Sequence, residues 1–377
     1  MVGYSYWGFL GDKKFNENLE EVSTPDGNAF YSWSIISELQ RRGKSVINLL
    51  PDRDSFGVIS RGRKLFKAFA AEERVNAYLS MKQDKKICTN KNSLKETIKK
   101  LEYVILEWRW EIPGRNDELT KINNPDVWQP DLEMSREIIK ICNENEIPLV
   151  VFDLDYKLTF EDIRNYKIKY VIELGDKWEL CPFVKSAKVK IPFDFSVINE
   201  FELKEKFENS LVYVGNRYER DWCIDKYIPE DLEDCMIYGN WKEGGRDSEE
   251  RWKNLNFGNR VQTSDMYDVY SSSLATILLA KEEYCEKHFM TARIIEAVFY
   301  GCVPFFIEEY GNITIMEYAG ACAEFLKVSS KEELKTKIDD LRNDVKLRNN
   351  IIKYLRKHLR FMDCKFFIDD VEELLRG

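Results

Sequence analysis

The sequence predicts an α/β protein with two domains, each built on a parallel β-sheet flanked by helices. Three observations support this fold class. At 377 residues, the chain exceeds the roughly 250–300 residues that one hydrophobic core usually serves. Short apolar runs alternate with helical segments along both halves, which is typical of parallel sheets with crossover helices. A polar stretch, NEFELKEKFENS, interrupts this alternation near the middle of the chain.

We place the connection between the two domains in this polar stretch, near residues 196–209. Interdomain connections are typically polar and carry no apolar run. The first domain then covers residues 1–200, and the second covers residues 201–345. Residues 346–377 are helical and charged, and we expect them to pack back toward the first domain.

The first half contains one predicted sheet with two clear helices. A helix is predicted for NAFYSWSIISELQRRG, where Trp33, Ile36 and Leu39 recur at helical spacing and Gly43 supplies a stop signal. A second helix is predicted around 131–144. The predicted strands are VGYSYWG, VINLLP, YVILEW (103–108), LVVFD (149–153), YVIEL (170–174) and VKIPF (189–193).

The second half restarts the same pattern and predicts a second sheet. Helices are predicted for 265–273 and for the apolar segment that begins at residue 288 and ends at Gly301. The predicted strands are LVYVG (211–215), MIYG (236–239), LATILLA (274–280), VPFFI (303–307) and EFLKV (324–328). Two Rossmann-like sheets of this kind are expected to face a central cleft at the carboxyl ends of their strands.

Composition excludes several classes of function. The start of the chain has no basic region followed by an apolar stretch, and the sequence contains no run near the roughly 20 apolar residues of a membrane span. Nine cysteines are scattered without a C-x-x-C spacing, and the two histidines belong to no metal motif. These features predict a cytoplasmic protein without a dedicated transition-metal site. With a net charge of −9, nucleic-acid contacts need a local basic face.

The helix predicted within HFMTARIIEAVFYGCVPFFI (288–307) carries an arginine and a glutamate inside an apolar run. Arg293 and Glu296 are three residues apart and therefore share one helix face. At the start of a helix that faces a cleft, Arg293 suits a diphosphate and Glu296 suits ribose hydroxyls. The alternative is a simple i,i+3 salt bridge on a partly exposed face. The pattern alone leaves both interpretations open.

The segment HFMTARIIE (288–296) resembles the sugar-nucleotide segment of GT-B glycosyltransferases. In detail it is similar to the DNA β-glucosyltransferases of T-even bacteriophages, which have the form N-F-I-T-L-R-V-W-E there. In that family the arginine and glutamate bind the diphosphate and the ribose of UDP-glucose. The resemblance therefore implies these roles for Arg293 and Glu296.

A second stretch, LVYVGNRYERD (211–221), resembles a family segment in which a strand runs into a glycine and two arginines that hold the phosphates. The matching residues are Gly215, Arg217 and Arg220. An ordinary turn between a strand and a helix has a similar appearance. The tetrapeptide IYGN (237–240) also recurs in the family.

In the first half, residues 131–160 resemble the family's helix–strand unit that ends in a D-I-R-L-P-F-like segment. The aspartate of that segment is the general base in the family, and it falls on Asp155. Such a carboxylate takes the proton of the attacking hydroxyl. Asp153 is the alternative base, because strand alternation places both aspartates on one face with Leu154 opposite. Two solvated acids at the end of a strand would give the same pattern.

The best local candidate for nucleic-acid binding is the stretch SRGRKLFKAF (60–69). Arg61, Arg63, Lys64 and Lys67 alternate there with two phenylalanines. These cations would contact phosphates. The alternative is a basic amphipathic helix with buried phenylalanines and solvated cations.

The resemblance implies an inverting glycosyltransferase that moves a hexosyl or pentosyl group from a UDP-sugar to a hydroxyl. The expected acceptor is a hydroxymethylated pyrimidine in double-stranded phage DNA, which would place the enzyme in the cytoplasm of the infected cell. A glycan, lipid or protein acceptor, and a noncatalytic nucleotide-sugar-binding module, remain alternatives. We expect a monomer with no membrane partner, no tightly bound cofactor and the UDP-sugar as co-substrate. The role of a divalent cation stays open.

Overall fold

A computed structural model of the chain describes residues 1–5, 28–49, 91–114, 116–124, 131–175, 177–179, 181–197, 202–241, 248–261 and 265–377. These residues form two compact units. The first contains Met1–Val197 together with Met362–Gly377, and the second contains Ile198–Phe361. Each unit has one six-stranded parallel sheet, so the predicted α/β fold class is confirmed.

The twelve strands divide equally between the two units. The first sheet has the order β2-β1-β3-β4-β5-β6, and the second has the order β12-β11-β10-β7-β8-β9. The strand bounds are β1 Val2–Ser5, β2 Val46–Asn48, β3 Tyr103–Glu107, β4 Leu149–Asp153, β5 Tyr170–Glu173, β6 Lys185–Lys188, β7 Asn209–Val214, β8 Cys235–Tyr238, β9 Asn256–Gly258, β10 Ser273–Leu278, β11 Val303–Ile307 and β12 Lys327–Val328.

The helices of the described residues are numbered in chain order. They are α1 Asn28–Arg41, α2 Lys91–Ile98, α3 Glu118–Asn123, α4 Asp131–Glu144, α5 Phe160–Tyr166, α6 Asp221–Tyr227, α7 Ser248–Arg251, α8 Met266–Ser271, α9 Glu282–Glu286, α10 Arg293–Tyr300, α11 Gly311–Ala319, α12 Ala323–Leu326, α13 Lys331–Asn343, α14 Val345–His358 and α15 Cys364–Arg376. Short 3₁₀ turns follow β6, β11, α11 and α14.

The central strands form where the sequence has short continuous apolar runs. All residues of β3, β4, β10 and β11 are buried. A parallel sheet is covered by helices on both faces, so its inner strands need apolar side chains on both sides. For this reason the bounds predicted for 149–153 and 303–307 agree with the structure.

Three edge strands, β6, β9 and β12, differ from the prediction in their position or were not predicted. The strand predicted at VKIPF (189–193) is wrong, because β6 is the preceding polar segment Lys185–Lys188. An edge strand contributes backbone hydrogen bonds and needs few apolar side chains, while the apolar residues after it are buried outside any strand. EFLKV (324–328) is mostly α12, followed by the two-residue β12. The edge strand β9 was not predicted.

The end of the chain is shared between the units. Residues 346–361 belong to the second unit, and residues 362–377 belong to the first. Helix α15 packs against α1, where Arg42 forms ion pairs with Asp369 at 2.9 Å and with Glu372 at 3.4 Å. The last helix therefore completes the first unit although it follows the second in sequence.

Candidate functional site

In the second unit, the strand order changes direction between β7 and β10. From β7 the sheet continues through β8 and β9 on one side, whereas β10, β11 and β12 lie on the other. Open α/β sheets bind ligands at such a point, outside the carboxyl ends of the two strands. A cavity of about 280 Å³ lies there, lined by residues of 213–216 after β7 and of 276–279 at the end of β10.

Three cationic side chains line this cavity, namely Arg220, Lys281 and Arg293. No aspartate or glutamate is among its described lining residues. Lys281 contacts Glu219 at 3.3 Å and Arg293 pairs with Glu296, but both carboxylates lie outside the cavity lining. The cavity surface itself is therefore positive, which favours an anion. Lys281 was not predicted as a site residue. It comes three residues after the carboxyl end of β10. Its position relative to that strand could have identified it as a candidate site residue.

Two glycines bring the loops after β7 and β8 together. The Gly215 N–H donates to the carbonyl oxygen of Tyr238 at 2.9 Å, and the Gly215 carbonyl accepts from Trp241 Nε1 at 2.9 Å. Gly239 has a φ of +145°, and a Cβ at Gly239 would lie 2.0 Å from the Gly215 oxygen. Only glycine fits at Gly239 without moving this backbone. The IYGN segment thereby fixes the loop that carries the candidate arginines.

Arg220 is held in the cavity by neutral partners. It is the N-cap residue of α6, and its guanidinium donates to the carbonyl oxygens of Asn216 at 3.3 Å, Tyr218 at 3.0 Å and Leu279 at 3.4 Å. In the described part of the chain no carboxylate pairs with it. Carbonyl groups orient the guanidinium but leave its full positive charge, as an anion-binding site requires.

Arg217, three residues earlier, has a different environment. Its Nε and Nη2 donate to both carboxylate oxygens of Asp221, at 2.7 and 2.6 Å. The guanidinium also lies 5.3 Å from the ring centre of Trp252, and the residue lines a separate, open groove. The structure therefore brings Gly215, Arg220 and Arg293 to one cavity, but directs the Arg217 side chain to a salt bridge outside it.

Arg293 and Glu296 form the ion pair that their spacing allowed. Arg293 Nη1 lies 2.5 Å from Glu296 Oε2, and the side chains are 39% and 15% exposed. A guanidinium has five N–H donors and a carboxylate has about four acceptor positions, so this contact leaves both groups capacity for further hydrogen bonds. The salt bridge and ligand binding are therefore compatible.

In the first turn of α10, the side chains are available to bind an anion, but the backbone N–H groups are not. The N–H groups of Ile294, Ile295 and Glu296 donate to the carbonyl oxygens of Thr291 or Ala292 at 2.9–3.5 Å. Because a turn precedes the helix, these N–H groups are already bonded. An anion at this end of α10 would therefore be bound chiefly by the Arg293 side chain.

In the first unit, Asp153 and Asp155 are not equivalent. Strand β4 ends at Asp153, and Asp155 lies in the following turn, so strand alternation does not extend to it. Asp153 is fully buried, and its Oδ1 accepts from the N–H groups of Lys157 at 2.9 Å and Leu158 at 3.2 Å. Burial raises the pKa of Asp153. Asp155 is half-buried.

The carboxyl edge of the first sheet carries further polar groups that were not predicted. Glu107 and Glu173 end β3 and β5, and both are buried. Tyr4 Oη donates to Glu107, and Arg109 Nη1 donates to Ser5 Oγ at 3.0 Å. Tyr4, Ser5, Glu107 and Arg109 lie at or near the ends of β1 and β3, between which this sheet changes direction, whereas Glu173 lies two strands away on β5. Charged residues directly after apolar runs were the available signal.

Some predictions lie outside the described residues. Arg61, Arg63, Lys64 and Lys67 are among them.

Within the described ranges, no group of three or more His, Cys, Asp or Glu side chains is arranged to hold a metal ion. None of the helices in those ranges is long and apolar enough to cross a membrane.

No protein-family model matches the sequence, and no curated protein is significantly similar to it. Solved structures are similar. A DNA-modifying β-glucosyltransferase, studied with and without uridine diphosphoglucose, has a TM-score of 0.63 at 12% identity, with 100% of each chain covered. The T4 phage enzyme called BGT, in complex with UDP and Mn²⁺, has a TM-score of 0.56 at 13% identity, covering 96% of this chain and 97% of that one.

A third structure is an α-glucosyltransferase in complex with UDP and a 13-mer DNA that contains an HMU base. Its TM-score is 0.63 at 10% identity, and it covers 100% of this chain and 99% of that one. These likenesses extend over both units. They agree with the two parallel six-stranded sheets. The chain therefore has the two-domain α/β fold of GT-B glycosyltransferases, as its resemblance to that family predicted.

Proposed function

We propose that this protein is a glycosyltransferase that uses a UDP-sugar as its donor. The observation that carries the proposal is the cavity at the reversal of the second sheet, where Arg220, Lys281 and Arg293 converge without a lining carboxylate. A nucleoside diphosphate carries the multiple negative charge that such a cavity favours. Solved structures with this fold contain UDP or UDP-glucose, which supports this class of donor.

In this proposal the three cations stabilise the UDP leaving group. Negative charge grows on the diphosphate as its bond to the anomeric carbon breaks, and oriented cations are most effective where charge develops. Arg220 is already oriented by carbonyl groups. Glu296 accepts hydrogen bonds from ribose hydroxyls while it keeps its contact with Arg293. Gly215 admits the phosphates close to the backbone, and Arg217 supports the loop through Asp221.

Asp155 is proposed as the general base for an inverting transfer. Its position in the turn after β4 and its partial exposure suit a carboxylate that must meet an incoming hydroxyl. Asp153 is less suited, because backbone N–H groups and Trp178 Nε1 already occupy its oxygens. A divalent cation would bind through the diphosphate, as the UDP and Mn²⁺ found together in one similar structure suggest.

The proposed acceptor is a hydroxymethylated pyrimidine in double-stranded DNA. One similar structure holds UDP with DNA containing an HMU base, and the sequence match around Asp155 belongs to the same class of enzyme. The donor can be tested separately from the acceptor. Calorimetry should detect UDP binding by the purified protein in the absence of DNA. Unmeasurable UDP binding, with and without Mn²⁺, would contradict the donor assignment.

The acceptor is tested by transfer from a panel of labelled UDP-sugars. Hydroxymethylated duplex, unmodified duplex and a glycan mixture should be compared in parallel. We expect label to enter only the hydroxymethylated duplex. Label in the glycan mixture alone would support the glycosyltransferase activity and contradict the DNA acceptor. UDP binding with no transfer to any acceptor would favour a nucleotide-sugar-binding module.

We propose the basic stretch 60–69 as a contact for the DNA backbone. Replacing Arg61, Arg63 and Lys64 together with alanine should flatten the salt dependence of duplex binding. Each lost phosphate contact lowers the slope of log K against log salt concentration by about 0.9, so three contacts correspond to about 2.7. Fluorescence anisotropy over several salt concentrations measures the slope, and UDP binding is the control. An unchanged slope would remove this stretch from the interface.

A further inference from the structure

The far end of α10 is held by two buried arginines from α14. Arg348 and Arg356 are 1% and 7% exposed. Eight residues apart, they lie about two turns from one another on the same helix face. Helix α14 packs against α10. Neither arginine has a predicted role, although two buried guanidinium groups on one helix are unusual in a protein core.

Both side chains donate to the carbonyl oxygens with which α10 ends. Arg356 donates through Nε to Val298 at 3.2 Å and through Nη2 to Phe299 at 2.7 Å. Arg348 Nη2 donates to Gly301 at 2.5 Å. The last four carbonyl groups of a helix have no partner within it. The arginines therefore satisfy groups that α10 itself leaves open.

The backbone turn after α10 complements these contacts. The Cys302 N–H donates to Ala297 at 2.9 Å, and the Gly301 N–H donates to Val298 at 3.2 Å. Gly301 has a φ of +88°, and a Cβ there would lie 2.8 Å from Leu203 Cδ2 and 3.5 Å from Arg348 Nη2. A glycine at this position adopts the positive φ that closes the helix and leaves space for the Leu203 side chain.

The anchoring is electrostatic as well as geometric. Within the described residues, Arg348 bonds only to neutral groups, namely the carbonyl oxygens of Lys204 and Gly301 and the side chain of Asn349. Burial lowers the pKa of Arg348 to about 10, so it stays charged at neutral pH. The carboxyl end of a helix carries a partial negative charge that attracts cations. Two cations there fix the helix end more strongly than a neutral cap.

Helix α10 has eight residues and is therefore about 12 Å long. Its other end begins with Arg293, which lines the cavity. A helix this short moves as a rigid rod, so a tilt at Gly301 displaces the Arg293 guanidinium. We propose that Arg348 and Arg356 are positioning residues of the donor site, which hold α10 so that Arg293 meets the diphosphate. The inference rests on the proposed UDP-sugar donor.

The test compares variants of Arg356 with a control on the same helix. Arg356→Met keeps the length of the side chain but removes both hydrogen bonds, whereas Arg356→Lys keeps the charge and a single donor group. Asp344→Ala removes the N-cap of α14, where Asp344 Oδ1 accepts from the Leu347 N–H at 2.9 Å. The cap variant loosens α14 without changing either arginine. Thermal unfolding and circular dichroism confirm that each variant is folded.

Calorimetry with UDP is the readout. We expect Arg356→Met to weaken UDP binding about tenfold and Arg356→Lys about threefold, because a misplaced Arg293 loses part of one charge-assisted contact. Asp344→Ala should stay within about twofold, since the loss of a cap acts on stability. In transfer assays Arg356→Lys should raise KM for the donor more than it lowers kcat.

Two results would overturn the inference. One is parental UDP affinity in folded Arg356→Met and Arg356→Lys. The other is an equal loss in Asp344→Ala, since general loosening of α14 would then explain the effect. If Arg356→Met does not fold, the UDP affinities of Arg356→Lys and Arg348→Lys are compared with those of the parent and of Asp344→Ala instead. A parent protein that does not bind UDP would reject the proposed donor and this inference together.

Discussion

Replacing Asp155 with asparagine is expected to lower the turnover of sugar transfer by about 10²–10⁴-fold, the usual loss when a general base is removed. Asparagine keeps the size of the side chain but cannot accept the proton of the attacking hydroxyl. UDP affinity should not change, because the residues proposed to contact the donor all belong to the second unit. Single-turnover transfer to hydroxymethylated duplex, together with UDP calorimetry, separates the two effects.

Asp153→Asn is the matched control, and its expected effect is on stability. The Asp153 carboxylate accepts from Lys157, Leu158 and Trp178 Nε1. An asparagine NH₂ group turned toward the Trp178 donor would leave a buried hydrogen bond unmade. Transfer per folded molecule should stay near that of the parent. An inactive Asp153→Asn beside an active Asp155→Asn would instead identify Asp153 as the base.

The stereochemistry of the product gives an independent check. An inverting transfer with a β-configured product is expected from an α-linked donor when a carboxylate activates the acceptor directly. If both aspartate variants stay active and the product keeps the donor's configuration, a carboxylate base is wrong. The enzyme would then belong with the retaining members of the fold.

The sequence predicted the inner strands well because burial on both faces imposes a strong pattern. LVVFD and VPFFI are continuous apolar runs, and their bounds match β4 and β11. The edge strand β6 has the sequence KSAK and is partly exposed. Its pairing with β5 depends on backbone hydrogen bonds, which leave no apolar signature in the sequence. The fold class was therefore predictable, whereas of the four edge strands only β2 was predicted at its place.

The candidate site was predictable in its residue types but not in its geometry. Arg217 and Arg220 both follow the same glycine, and nothing in the sequence distinguishes one from the other as a phosphate ligand. Their roles differ because Asp221, the first residue of α6, pairs with Arg217 and leaves Arg220 to carbonyl partners. That distinction depends on where the turn ends and the helix begins. Helix boundaries of this kind are the least certain part of a sequence-based prediction.

The same reasoning explains why Lys281 was missed. Lys281 belongs to no short motif, and its Nζ lies 3.3 Å from Glu219 and 4.3 Å from the centre of the Tyr218 ring. Residues from the loop after β7 therefore hold it at the cavity. Such a contact between distant segments requires knowledge of which strands are neighbours. The sheet order supplies it, since β7 and β10 are adjacent.

Removing both cavity arginines is expected to have the largest effect on donor binding. Losing one charge-assisted contact to the diphosphate costs about 1.5–3 kcal/mol, or roughly 10- to 150-fold in affinity. Arg220→Met and Arg293→Met should each fall in this range, and the double variant should lose about 10²–10⁴-fold. Arg293→Met should be the weaker binder of the two single variants. It leaves the Glu296 carboxylate unpaired, and that negative charge opposes the diphosphate.

Two further variants decide whether this account of the site is correct. Adding Glu296→Gln to Arg293→Met should restore part of the lost UDP affinity, because it removes the opposing charge while keeping a hydrogen-bonding group. Arg217→Met should change UDP affinity by less than about threefold, because the Arg217 side chain is directed to its salt bridge with Asp221 and does not line the cavity. A larger loss in Arg217→Met than in Arg220→Met would reverse the assignment. The Asp221 salt bridge would then have to open when the donor binds, and Arg217 would hold the phosphates as the family resemblance implies.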